Sequence, residues 1–379
     1  MFNNIVQFIK SQFSNQDFIP LHAPRFIGNE KKYLNDCIDS TFVSSVGAYV
    51  DLFEKKMCEL TGAKHCIAIV NGTNALHLSL LLTGVKKDDE VLTQALTFIA
   101  TANAISYCNA TPHFVDVDKE TLGLSPSLLK KHLSEIAEVK NGVCYNKTTG
   151  KRIAACVPMH TFGLPMYIDE LVNVCNEFNI PVVEDAAESL GSYYKEQHTG
   201  TFGLLGTFSF NGNKTITCGG GGAIITDDDE LAKRAKHLST QAKVPHKWDY
   251  VHDEIGYNYR MPNLNAALAC AQLEQLEKFI LNKRELAHKY HVFFESLNID
   301  YNKEQNSAIS NYWLNTVVLK NKIERDQFLD YTNSNGVMTR PIWALMNRLK
   351  MYENCPKSDL SNSEWLEERV VNIPSSVRI

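Results

Sequence analysis

The chain has 379 residues, of which 44% are hydrophobic and 21% charged, a balance that excludes a disordered or fibrous chain. Lysine and arginine number 38 against 43 acidic residues, a formal net charge of -5 with no basic block, which argues against a general nucleic-acid binder. The length exceeds one ordinary hydrophobic core, so a large domain over residues 1–250 and a smaller one over 251–379 are expected, with the boundary inside 242–260.

The opening stretch MFNNIVQFIKSQFSNQDFIP mixes polar and apolar residues without a continuous apolar segment, so no secretory signal is expected. No later apolar run reaches the roughly 18 residues of a bilayer span, which points to a cytoplasmic protein without membrane contact. From about residue 50 to 240, helical periods alternate with short β-branched runs, the rhythm of an α/β fold with a mainly parallel sheet. In chain order these are helix 50–61, strand 66–70, helix 74–83, strand 90–93, helix 98–107, strand 112–115 and helix 127–138. An exposed loop or hairpin over 138–152, strand 152–157, helix 167–178, strands 181–184, 206–209 and 223–226, and helix 229–239 follow. Beyond Pro262 a helix-like stretch runs to Leu297, and strand 313–319, a polar helix and strand 336–340 suggest a strand-and-helix C-terminal domain. The ten cysteines form no C-x-x-C pair, and Cys66, Cys156 and Cys270 read as small buried hydrophobes in a reducing compartment, with no structural zinc or other metal implied.

Chemistry concentrates at a few of the junctions. The segment TFSFNGNKTITCGGGGAIIT sets Lys214 in a polar loop between two strands; alone, such a lysine is most often a solvated surface group. The run IPVVEDAAESLG ends a buried strand with Glu184 and Asp185, at the end where α/β sheets collect ligands. Asp185 alone fits a helix N-cap at least as well. Lysine and carboxylate together suit pyridoxal phosphate (PLP), whose ring is an electron sink only while a carboxylate keeps its nitrogen protonated, and whose lysine partner moves protons once displaced. The run IVNGTNALHLSL offers a phosphate cradle: a strand, a turn at Gly72 and a helix starting near Thr73 or Asn74, with Ser209 able to add a hydroxyl. An ordinary capped strand-turn-helix reads the same way. Phe98 follows another strand end, where its face can stack on a cofactor ring or simply fill the core. The glycine run from Gly219 to Gly222 leads into a strand and not a helix, so it fails as a dinucleotide fingerprint.

The motifs NGTNALHL, TFIATANAI, PMHTFGLPMYIDEL, VVEDAAESLGS, SFNGNKTITCGGGGAI and GYNYRMPNLNAALACAQLEQL occur together and in order, and the chain resembles the DegT, DnrJ and StrS type of sugar aminotransferase along nearly its whole length. The resemblance implies a three-layer αβα fold-type I PLP-transferase with a smaller α/β C-terminal domain. It further implies Lys214 as the Schiff-base lysine, Asp185 against the pyridine nitrogen, Phe98 stacked on the ring, and Thr73, Asn74 and Ser209 on the phosphate. Glu188 stands where many members carry His or Gln beside the ring hydroxyl. Members are homodimers in which Asn258 and Arg260 of this sequence would complete the opposite site. The opening FIPLHAPRF and the phrase NYWLNTVVL resemble the branch that aminates C4 of a UDP-linked 4-keto-6-deoxy-N-acetylhexosamine for legionaminic-acid or bacillosamine-type sugars, with glutamate as donor in a ping-pong cycle. Arg25, His160, Trp248 and Arg340 are sugar or diphosphate candidates in that reading, though salt-bridge or packing roles suit each as well. A 3-aminotransferase for a dTDP-keto sugar, sugar dehydration or lyase chemistry, and a regulatory dimer without turnover remain as alternatives.

Overall fold

Seven strands form one mainly parallel sheet in the computed structural model, which describes residues 1–14 and 16–378. Their spatial order is His65–Ile69, Gly222–Thr226, Leu205–Ser209, Val183–Asp185, Ile153–Val157, Glu90–Gln94 and Thr111–Val115. Single bridges from Cys156 to Val182 and from Met159 to Asp185 join its two halves. Only Gly222–Thr226 runs antiparallel to its neighbours. All seven are strands the β-branched runs predict, with ends shifted by a residue or two.

Strand alternation distributes the side chains to two helical layers. Ile67, Ile69, Val91, Val157 and Ile224 point to one face and pack on helices Gly72–Leu82, Ile99–Tyr107 and Asp229–Ser239. Cys66, Ala68, Phe208 and Ile225 point to the other, against helices Ala48–Thr61 and Asn263–Leu273, while Leu92 and Cys156 meet helices Pro126–Ile136 and Ile168–Glu177. The result is the expected three-layer αβα arrangement. All ten cysteines are free thiols, eight of them buried. Among the described residues no helix is long and apolar enough to cross a membrane.

The polar stretch after residue 137 is a hairpin, Ala137–Lys140 with Val143–Asn146, turning on Asn141 and Gly142, both at positive φ as a tight Asn-Gly turn requires. The long helix expected from 262 to 297 is instead two, Asn263–Leu273 and Leu276–Ser296. They serve different cores. The first is buried on helices Glu30–Asp39 and Ala48–Thr61 beside the large sheet, and the second carries Leu286, Tyr290 and Phe294 into the last third of the chain.

That last third is built on an antiparallel sheet ordered Asp300–Tyr301, Asn315–Val318, Val370–Ile373, Arg340–Pro341. Helix Phe2–Gln12 closes its core, burying Ile5, Val6 and Ile9 against Leu286, Phe294, Phe328 and Val371. A division at residue 250 would therefore separate the first helix from its core and helix Asn263–Leu273 from the large sheet it covers.

Candidate active site

A cavity of about 700 Å³ opens where the parallel strands end, between the large sheet and the antiparallel one. Lys214 enters it from the loop between strands Leu205–Ser209 and Gly222–Thr226. Its amine lies 3.2 Å from Glu188 Oε1 and 4.1 Å from the centre of the Trp313 ring, and its side chain is only 12% exposed. Trp313 Nε1 donates to the carbonyl of Asn213, so the indole also pins the residue before the lysine.

Glu188 is buried in the cavity wall. Its other oxygen accepts from the N–H of Phe162, which stands at φ +57, a left-handed backbone that aims the donor inward. Burial raises the Glu188 pKa to about 7, against the pull of the Lys214 charge. Asp185, the last residue of its strand, accepts from Thr101 Oγ1 at 2.7 Å and from the N–H of Ala187 at 3.2 Å. Burial raises its pKa as well, with those bonds and the Lys214 charge opposing. No helix follows Asp185; the Ala187 bond closes a local turn, so the N-cap alternative does not hold. Its neighbour Glu184 faces away and accepts from the N–H groups of Gly200, Phe202 and Gly203 and from His160 Nε2, which makes it the anchor of a loop.

The helix of the phosphate cradle begins at Gly72, with Asn71 as its cap, accepting from the N–H of Asn74 at 2.8 Å. Gly72, Thr73 and Ser209 line the cavity; Asn74, its N–H already spent on Asn71, does not. A Cβ on Gly72 would come within 2.8 Å of Ser209 Cβ, so glycine keeps helix and strand close enough for both to face one small anion. Gly222 has a related reason: a Cβ there would meet the Asn71 backbone at 2.5 Å. The glycine run thus lets its strand pass behind the cap. Phe98 lines the cavity with its ring half exposed, 6.1 Å from that of Trp343.

Carboxylate, amine, aromatic face and helix-terminal N–H groups converge on one cavity, and this donor set fits PLP. Arg340 also lines it. His160 and Arg25 are placed otherwise. His160 is buried between Glu184 and the N–H of Met166, and Arg25 Nε is bonded to the carbonyl of Val377. Neither lines the cavity. Trp248, 71% exposed, and Asn258 and Arg260 do not line the cavity of their own chain. Sequence reasoning missed Asn71, Trp313, Trp343 and Asn372; only Asn71 carried a local signal, the cap position before a helix.

Comparison with known proteins agrees with this reading. Residues 24–379 match the DegT/DnrJ/EryC1/StrS aminotransferase family. The GDP-perosamine synthase of Escherichia coli O157:H7 is 39% identical over 359 residues, covering 94% of this chain and 93% of that one. The GDP-perosamine synthase of Vibrio cholerae is 36% identical, covering 94% of each. Among solved structures, the aminotransferase TlmJ from Streptoalloteichus hindustanus superposes with a TM-score of 0.85 at 25% identity, covering 94% of this chain and 93% of that one.

Proposed function

The chain belongs to the DegT/DnrJ/EryC1/StrS aminotransferase family and is a PLP-dependent sugar aminotransferase; from that premise we propose that it passes the amino group of glutamate to C4 of a nucleotide-linked 4-keto-6-deoxyhexose. The observation that carries the chemistry is the enclosed Lys214 amine, set between the Glu188 carboxylate and the Trp313 face in a cavity that also holds Asp185. The choice of carbon rests on relatives named GDP-perosamine synthase, perosamine being a 4-amino-6-deoxy sugar. A UDP-linked N-acetylhexosamine is the second reading, favoured by the FIPLHAPRF and NYWLNTVVL segments.

PLP bound here supplies an electron sink that acidifies the carbon next to the transferred nitrogen. Asp185 would hold the proton of the ring nitrogen, its own position fixed by Thr101 and the Ala187 N–H. Thr73, Ser209 and the first N–H groups of helix Gly72–Leu82 would take the phosphate. Phe98 would cover one ring face. Lys214 removes and returns protons, first on the donor carbon and then on the sugar carbon, and Glu188 is the neighbour that changes charge near neutral pH. The exposed apolar side chains Trp248, Tyr250 and Ile255 support a homodimer in which a second copy covers this stretch and Asn258 and Arg260 complete the partner's site.

The test is a single panel: purified enzyme with PLP and glutamate, offered GDP-linked and UDP-linked 4-keto-6-deoxy sugars and a dTDP-linked 3-keto sugar, with amino sugar and 2-oxoglutarate quantified together. Equimolar 2-oxoglutarate and a 4-amino product support the proposal. A 3-amino product, or loss of oxygen without amine gain, refutes it.

A further inference from the structure

Strand Val370–Ile373 sits in the middle of the antiparallel sheet, and its residues alternate between two cores. Val371 and Ile373 point to the core closed by helix Phe2–Gln12. Val370 points the other way, into an apolar cluster with Phe162, Trp313 and Ile342 beside the active-site cavity. Asn372 shares that second face and lines the cavity at only 3% exposure. Its Oδ1 is buried without a hydrogen-bond partner, and its Nδ2 donates no hydrogen bond among the described residues. An unpaired amide at such a place costs stability that a valine or leucine would not.

Directly across the ladder stands Arg340, so both side chains leave the sheet on the same side. Arg340 is exposed at the cavity rim and forms no ion pair among the described residues. Depth sorts the two. A guanidinium at the rim can meet a charged diphosphate that stays partly in water, whereas a neutral amide deep in the wall suits a neutral group that both donates and accepts. A sugar hydroxyl is such a group; a carboxylate only accepts.

We propose that Asn372 is a specificity-determining residue that hydrogen-bonds a ring hydroxyl of the hexose, holding the sugar so that its keto carbon faces the Lys214 amine. This rests on the sugar-aminotransferase reading and adds the residue that reads the sugar. Turned about its last torsion, the amide can present either its oxygen to the hydroxyl proton or its NH2 to the hydroxyl oxygen. The amino donor makes no use of it.

The two half-reactions of the holoenzyme separate these claims. Wild type, Asn372→Leu and Asn372→Ala are each mixed with glutamate, and separately with GDP-perosamine and a UDP-linked 4-amino-6-deoxy-N-acetylglucosamine. The change in cofactor absorbance gives the half-saturation for each. The expected result is a half-saturation for the accepted amino sugar raised about ten- to hundredfold in both variants, with that for glutamate within about twofold of wild type. The thermal midpoint of Asn372→Leu should equal or exceed that of wild type. Unchanged sugar half-saturation in either folded variant overturns the proposal, as does a larger loss on the glutamate side, which would make Asn372 a donor contact. A wild type that responds to glutamate but to no amino sugar defeats the parent reading, and this one with it; a sugar-competent wild type matched by its variants defeats this one alone.

Discussion

Replacing Lys283 by methionine should abolish a pH dependence of stability that the wild-type chain carries. Lys283 lies on helix Leu276–Ser296 with its side chain fully buried, its amine donating to the carbonyls of Trp313 and Ser375 and lying 3.1 Å from His22 Nε2. Burial pulls its pKa down to about 7, whereas in an unfolded chain it is near 10.4. Between those values the unfolded chain holds a proton that the folded chain does not, so raising the pH favours folding. The contribution is complete above the unfolded pKa and is lost as the pH falls towards 7. At about 1.4 kcal/mol for each pH unit, the whole span is worth roughly 5 kcal/mol. With an unfolding entropy of about 2.1 cal/mol/K per residue, 379 residues give roughly 0.8 kcal/mol/K, so each pH unit moves the midpoint by roughly 2 °C. Thermal unfolding of both PLP-saturated proteins from pH 7.5 to 9.5 reads this as a difference, in which every other titration cancels. The methionine variant leaves two carbonyls unpaired, a constant offset of about 1–3 kcal/mol for each. A wild-type advantage that grows by roughly 4 °C over this range is expected; a difference that stays flat refutes the reasoning.

Lys214→Ala should lose the bound-cofactor absorbance band and reduce turnover on the order of a thousandfold or more, measured by spectrum and product yield. Glu188→Gln removes a carboxyl whose pKa burial holds at about 7, so the wild-type pH–rate profile should show a step near pH 7 that the variant lacks, as wild-type Glu188 is neutral below that pH and charged above it. Gly72→Ala drives a methyl to 2.8 Å from Ser209 Cβ and 3.3 Å from the Phe208 carbonyl, and should weaken PLP binding about tenfold in an absorbance titration while leaving the fold intact.

Much of the sheet was legible because most of its strands are short β-branched runs bounded by turn residues, and the sites at strand ends announced themselves through residue type: a lysine in a glycine-flanked loop, an acid closing a buried strand. What stayed hidden depends on which core an amphipathic surface chooses. Nothing in FNNIVQFIKSQ says that its apolar face belongs with residues near 290 and 371, and nothing in the run after Pro262 says that its halves part company after Leu273. Asn372 was invisible for a related reason: VVNI carries no strand expectation from the sequence, and only its place in the sheet, with faces alternating, shows that its amide lines a cavity. Arg25 and His160 suggested themselves by charge and position, and the structure places His160 against Glu184 and Arg25 Nε on the Val377 carbonyl, both outside the lining of the cavity.

The attachment of helix Phe2–Gln12 also sets a timetable. Chains grow from the amino end at about 5–20 residues per second, so its partners at Val371 and Ile373 emerge roughly 20–70 s after it does. Over that interval Ile5, Val6 and Ile9 lack the strand that completes their core, although Leu286, Phe294 and Phe328 emerge earlier and the strands of the large sheet can already pair. The helix is made long before the strand it packs on, and for much of that time the nascent chain carries a greasy helical segment, a target for holding chaperones until Val371 and Ile373 emerge.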